Sequence, residues 1–226
     1  MARDNSPKIR QLRRLERKEN NREPYDRILI VSEGSKTEPN YFKEIVQTFR
    51  LNTANVHIYP SKIGTNPLKV IEYCEQLFEE GDNHLGIRKK SFDKIFAVFD
   101  RDDFKDFNSA ILKAEALRLE NDSGEIVFLN VIPSNPCFEI WLLLHFEKIL
   151  HWIDRKEAYV RLKEKYPAYE KGATDVYSKT NKFYDAALKH SNLLIKRNKI
   201  LGKNELYTKV GELVEVLINL KGYVKR

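Results

Sequence analysis

The stretch that decides the fold runs from Asp26 to Phe42, DRILIVSEGSKTEPNYF, and it has an echo from Lys94 to Phe104, KIFAVFDRDDF. In both, a short run rich in Ile, Val and Phe stops abruptly at acidic residues, and a helix-compatible segment follows. Such a run reads as a parallel strand, buried on both faces, that delivers carboxylates at its carboxyl end. Open α/β sheets place ligands outside those ends, where the strand order reverses, so Glu33, Asp100 and Asp102 meet in one crevice if the two strands are neighbours. Three carboxylates with no Cys or His beside them suit a hard divalent cation, Mg2+ or Mn2+.

Outward from these strands the punctuation is regular. Gly34 permits a tight exit from the first strand, Thr37 is placed to cap a helix from Glu38 to Arg50, and Pro39 fits its first turn. The alternating segment 55–59 predicts a second strand, and Asn66-Pro67 opens a helix from Leu68 to Glu80. After the third strand, Ile95 to Phe99, a helix is expected over 108–119, and Gly124 turns the chain into a fourth strand, Ile126 to Ile132. Strands alternating with helices predict a right-handedly wound parallel α/β sheet. The order 2-1-3-4 sets strands one and three side by side at a switch point. The run Ile140 to Phe146 is too apolar for a surface helix and is expected against the sheet, with Glu139 in its first turn in need of a partner. Amphipathic, Lys-rich helices are expected over 154–165, 178–191 and 206–220.

A chain of 226 residues can bury a full core, and 42% hydrophobic with 11% aromatic residues is ordinary for a globular protein. No apolar run approaches the ~20 residues that cross a membrane, and the opening MARDNSPKIRQLRR lacks a signal-peptide core, so a cytoplasmic protein is expected. Two cysteines, Cys74 and Cys137, read as buried free thiols rather than a zinc site.

The net charge of +7 is unevenly spread. Residues 1–24 hold 8 Lys/Arg against 4 Asp/Glu (+4), residues 25–149 hold 15 against 20 (−5), and residues 150–226 hold 17 against 9 (+8). Three segments follow: a basic arm over 1–24, an α/β domain over 25–150 and a basic helical lobe over 151–226. An acidic centre between basic flanks suits a metal-dependent enzyme acting on a polyanion, and ordinary solvated helix faces account for the same charges equally well. Arg10, Arg13 and Arg14 of the arm, and Lys179, Lys196, Arg197 and Lys199 of the lobe, are the candidate contacts to nucleic acid.

Taken together, ILIVSEGSKTEPNYF (28–42), Gly64-Thr65-Asn66-Pro67, VFDRDDF (98–104), SNPCFEIWLLLHF (134–146), Tyr177-Ser178-Lys179 and the segment Tyr207 to Leu220 resemble the RloB-like family, whose core resembles a Toprim domain. The resemblance implies a Toprim-like four-stranded sheet with Glu33 after the first strand and Asp100-x-Asp102 after the third as ligands of Mg2+ or Mn2+. Toprim nucleases carry a motif similar to VEGxTE. Here Ser32 replaces the Val and an extra residue separates Gly34 from Thr37, with Glu38 as the further carboxylate. Glu139 either joins these ligands, orients a lysine, or is a structural carboxylate satisfied by a partner. Lys36 or Lys179 would neutralise the scissile phosphate. The family further implies a nuclease in antiviral, abortive-infection type defence beside an ABC- or AAA-type ATPase partner.

Rival readings carry distinct signatures. Gly34-Ser35-Lys36-Thr37 lacks the glycine spacing of a phosphate-binding P-loop. A haloacid-dehalogenase type phosphatase would carry its aspartates after the first strand. A non-catalytic nucleic-acid-binding sensor or adaptor regulating an ATPase accounts for the basic segments equally well. His145, on an apolar helix, is expected to be a hydrogen-bonded core residue.

Overall fold

The computed structural model of the chain describes residues 25–101, 107–202 and 205–222. Its centre is a five-stranded sheet in the order β2 (Val56–Pro60), β1 (Ile28–Ser32), β3 (Lys94–Asp100), β6 (Leu129–Asn135) and β7 (Tyr207–Thr208). The first four run parallel, and β7 pairs antiparallel with β6 through Ser134↔Thr208 and Asn135↔Tyr207. The expected parallel α/β sheet is therefore present, but a four-stranded sheet is not the whole of it. β7 is a two-residue strand inside the Lys-rich region, too short to leave an alternating pattern in the sequence.

The expected strand from Ile126 also divides. Gly124, at φ +77°, closes a small ribbon of β4 (Leu119–Glu120) and β5 (Ile126–Val127), and the sheet strand begins only at Leu129. Gly is suited to this left-handed backbone because it has no Cβ to clash.

Side chains alternate between two apolar layers. Ile28 and Ile30 of β1, Phe96 and Val98 of β3 and Ile132 of β6 face one layer. Leu29 and Val31, Ile95, Ala97 and Phe99, and Leu129 face the other. The second layer is completed by α2 (Pro67–Glu79) and α3 (Phe107–Ala116). Pro67 sits in the first turn of α2, and the Asn66 side chain accepts the Lys69 N–H at 2.9 Å, as an N-cap should.

Facing the first layer are α1 (Thr37–Thr48), α4 (Glu139–Leu143), α5 (Arg155–Lys165), α6 (Val176–Thr180), α7 (Tyr184–Leu201) and α8 (Val210–Asn219). Residues Ile140 to Leu144 are fully buried, as their density of apolar side chains requires. Trp141 donates its indole N–H to the Tyr41 hydroxyl at 2.8 Å and abuts Gly211, where a Cβ would lie 3.0 Å from the indole. Residues from both sides of position 150 thus share one core. Thr37 does not cap α1. Its hydroxyl instead accepts the Gly172 N–H at 3.1 Å, tying the 166–175 loop to the start of that helix.

His145 lies in this core at 3% exposure, with Nδ1–H donating to the Trp141 carbonyl at 2.9 Å. Burial pushes the imidazole down to about 4, against the opposing pull of its backbone partners. Because the folded value lies below the ordinary 6.5, the stabilisation is complete above pH 6.5 and is lost as pH falls toward 4. Denaturant unfolding of the parent and His145→Gln should show the parent losing about 3 kcal/mol more than the variant over that interval. Parallel pH curves for the two proteins would show that His145 is not held neutral.

Candidate active site

The register of the sheet brings the acidic strand ends together. Ser32 is level with Val98, and Asp100 is level with Ser134, so Glu33 follows β1 beside the end of β3. The Glu33 N–H donates to the Val98 carbonyl at 2.9 Å, and its carboxylate accepts the Asp100 N–H at 2.9 Å. Glu38, in the first turn of α1, and Glu139, in the first turn of α4, approach the same edge. Helix starts attract carboxylates because their unpaired N–H groups carry partial positive charge.

The crevice is poor in water. Glu38 is 7% exposed, and the side chains of Glu139 and Asp100 are 5% and 17% exposed. Burial pushes the Glu33 carboxyl up to about 7, opposed by the Asp100 N–H and reinforced by the charge of Glu38. Burial raises Glu38 as well, with Glu139 adding repulsion and Lys171 opposing it. Asp100 is held well above the usual carboxylate range, first by burial and then by Glu38, Glu33 and Glu139, with Arg155 opposing. Burial, Glu139 and Asp100 together raise the neighbouring Cys137 thiol. Such a site favours protons or cations over bare charge.

Two basic residues that the sequence did not single out answer this demand. Arg155, first residue of α5, places its guanidinium 3.6 Å from Asp100 Oδ2. Lys171 places its ammonium 3.2 Å from Glu139 Oε1, and the buried Tyr169 hydroxyl donates to the same oxygen at 3.2 Å. Glu139 therefore has the partners its burial called for. The only sequence signal for the lysine was the Tyr-Glu-Lys-Gly turn before Ala173, which resembles any polar loop.

Gly34 packs directly against the end of the Glu38 side chain. A Cβ there would lie 2.0 Å from Glu38 Oε2, so the absent side chain is what lets the Glu38 carboxylate enter the crevice. Lys36 is exposed and its stem packs beneath Gly172, one residue from Lys171. Lys179 is exposed on α6, a helix that docks on α1 where the Tyr177 N–H meets Glu44 at 2.6 Å. Lys196 and Lys199 lie exposed on α7, where the Arg197 guanidinium donates to the Leu150 carbonyl. Asp102, Arg10, Arg13, Arg14 and the whole 1–24 arm lie outside the described residues.

Among the described residues, no three His, Cys, Asp or Glu side chains are gathered closely enough to hold a metal ion. The donor set is nonetheless chemically suited to Mg2+ or Mn2+, being carboxylate oxygen. A separate groove of about 590 Å3 between α3 and α7, lined by Ile111, Val131, Ile195 and Tyr207 among others, contains none of these carboxylates. No helix among the described residues is long and apolar enough to cross a membrane.

Fold and site together define an α/β protein with a buried acidic crevice at the carboxyl edge of a largely parallel sheet. The chain belongs to the RloB-like protein family, whose model matches it over residues 28–217. No curated protein and no solved structure was found to match it.

Two consequences are measurable without substrate. The folded Glu33 value lies above the ordinary 4.5, so the stabilisation from its protonation is full below pH 4.5 and lost as pH rises through 7. Glu33→Gln should therefore match the parent in thermal stability near pH 4.5 and exceed it at pH 8. A constant difference across that range would mean Glu33 is an ordinary carboxylate. Gly34→Ala should retain its far-ultraviolet circular dichroism while losing the buried position of Glu38. Calorimetric Mn2+ affinity should then drop about tenfold or more, the order of loss usual when support for a ligand set is disturbed. Unchanged affinity would show that Glu38 is not needed there.

Proposed function

We propose that this protein is a divalent-metal-dependent nuclease with a Toprim-like centre, cleaving phosphodiester bonds in RNA or DNA. The observation that carries the reading is the set of buried carboxyl groups, Glu33, Glu38 and Asp100, raised by burial and mutual repulsion at the carboxyl edge of β1 and β3. When bound, Mg2+ or Mn2+ would supply charge stabilisation for the attacking and leaving oxygens. Glu33, Asp100 and, by family resemblance, Asp102 would hold it, with Glu38 and Glu139 as further oxygen donors.

The chain's own groups supply the rest. Glu33 serves either as a ligand of that ion or, with its carboxyl near 7 in the metal-free protein, as the group that takes a proton from an attacking water. The Asp100 N–H fixes which way that carboxylate points. Arg155 can form a bidentate pair with a phosphate, and Lys171 and Lys36 supply point charges at the rim. The basic arm and the basic segment after residue 150 would hold the polyanion that the −5 centre would otherwise repel. On the family resemblance we place this activity in anti-phage defence beside an ABC- or AAA-type ATPase.

A second reading, a nucleic-acid-binding adaptor that regulates such an ATPase, is favoured by one observation. The basic segment 150–226, at +8, suits nucleic-acid binding with or without cleavage. The two readings separate on purified protein, with and without an ATPase partner, incubated with tRNA, plasmid and single strands in Mg2+ or Mn2+. Asp100→Ala and Glu33→Gln should slow cleavage on the order of 10²-fold or more while nucleic-acid affinity persists. Cleavage at parental rates in both variants would overturn the nuclease reading, and a parent that binds but never cuts would favour the adaptor.

A further inference from the structure

The segment between α4 and α5 holds an aromatic that the core does not use. Ile149 and Ile153 anchor this segment at 1% exposure each, while Leu150 and Trp152 between them stand 49% and 51% exposed. The other tryptophan, Trp141, is fully buried with its N–H satisfied by Tyr41. Leaving half of an indole in water forgoes burial of a large apolar surface and keeps a flat aromatic face open to a ligand.

Its position is tied to the crevice through the chain. Asp154 caps α5 by accepting the Glu157 N–H at 2.8 Å, which starts the helix at Arg155 and aims that guanidinium at Asp100, 3.6 Å away. Trp152 lies three residues before Arg155, so their Cα atoms are at most ~11 Å apart. One helical turn beyond Arg155, the Tyr159 ring carries the Lys171 ammonium 6.0 Å from its centre, and Lys171 reaches Glu139. Lys148 and Lys156 are exposed on either side of the tryptophan in sequence. Aromatic rings interleaved with cations beside a phosphate-handling site make a stacking platform for bases, since every base offers a flat face and every link a phosphate.

We propose that Trp152 stacks an unpaired nucleobase and so sets the adjoining phosphate against Arg155 at the carboxylate crevice. This rests on the nuclease reading for its purpose, though not for its binding test, and it names the ligand class: single-stranded nucleic acid or an unpaired end. An intact duplex keeps its bases stacked on one another and cannot offer a free face to the indole.

The test uses the full chain in the presence of a chelator, titrated with a short thymidine oligonucleotide and with the blunt duplex that the same oligonucleotide forms with its adenosine complement. The single strand should quench the exposed tryptophan's fluorescence, and the quench should be absent in Trp152→Ala, which retains only the buried Trp141. Trp152→Ala should weaken single-strand affinity roughly 5- to 150-fold, Trp152→Phe should recover most of it, and duplex affinity should not change. Stacking releases no counterions, so the salt slope should stay the same in Trp152→Ala and fall by about 0.7 in Arg155→Ala. If the oligonucleotide leaves the fluorescence unchanged, or Trp152→Ala lowers duplex and single-strand affinity equally, the platform is refuted and the surface is better read as a protein-docking face. A neutral Trp152→Ala in a protein that still cleaves would remove this inference alone. Quenching and loss in a protein that never cleaves would remove the nuclease reading alone.

Discussion

Repulsion among carboxyl groups that share a water-poor edge is the constraint on which the rest of this structure depends. Glu33, Asp100, Glu38 and Glu139 come from four different elements, yet the parallel register and the short strand-to-helix links leave them nowhere else to go. Each burial raises the cost of charging the others, which is why three of them sit above the ordinary carboxylate range. The fold tolerates this through local answers: an N–H from Asp100 for Glu33, a hydroxyl and an ammonium for Glu139, and a guanidinium for Asp100. A structure optimised for stability alone would not collect acids in this way.

The hydroxyl, the ammonium and the guanidinium come from beyond residue 150, so the site is not a property of the α/β segment by itself. Arg155 starts α5, and Tyr169 and Lys171 sit on a loop pinned to α1 by Gly172, whose N–H reaches Thr37 and whose carbonyl accepts the Asn40 side-chain N–H at 2.8 Å. Gly172 adopts φ +82° directly against the Lys36 stem, a backbone position that few other residues could take. Further along, β7 fastens the same region to the sheet, where Thr208 meets Ser134 at 2.9 Å and its carbonyl accepts the Ser191 hydroxyl at 2.7 Å. The basic segment is therefore a working wall of the crevice as well as a source of positive charge.

Strands β1 and β3 were legible because they are buried on both faces and so read as unbroken apolar runs ending in acids, and β2 was legible from its alternation. Helix α2 was legible for the Asn66-Pro67 start, and the buried α4 for its density of Ile, Trp and Leu. Legibility failed where an interaction is made across the chain rather than along it. Thr37 has the residue type and place of a cap, but its hydroxyl is taken by Gly172, 135 positions away. β7 is too short to carry a period, and Arg155, Tyr169 and Lys171 lie among many residues of the same types with no local feature to separate them.

What the sequence determined by itself is therefore the alternation of strand and helix, the placing of Glu33 and Asp100 at strand ends, and membership of a family recognisable from several motifs at once. These follow from hydrophobic period and from turn chemistry, which act over a few residues and leave their mark in order along the chain. Only the tertiary structure decided which cations face the acids, that Gly34 lies against the Glu38 carboxylate, and which carboxyls are driven above their ordinary range. Burial and Coulomb repulsion depend on separation in space and on the loss of water, and neither is written in the spacing of residues along a chain.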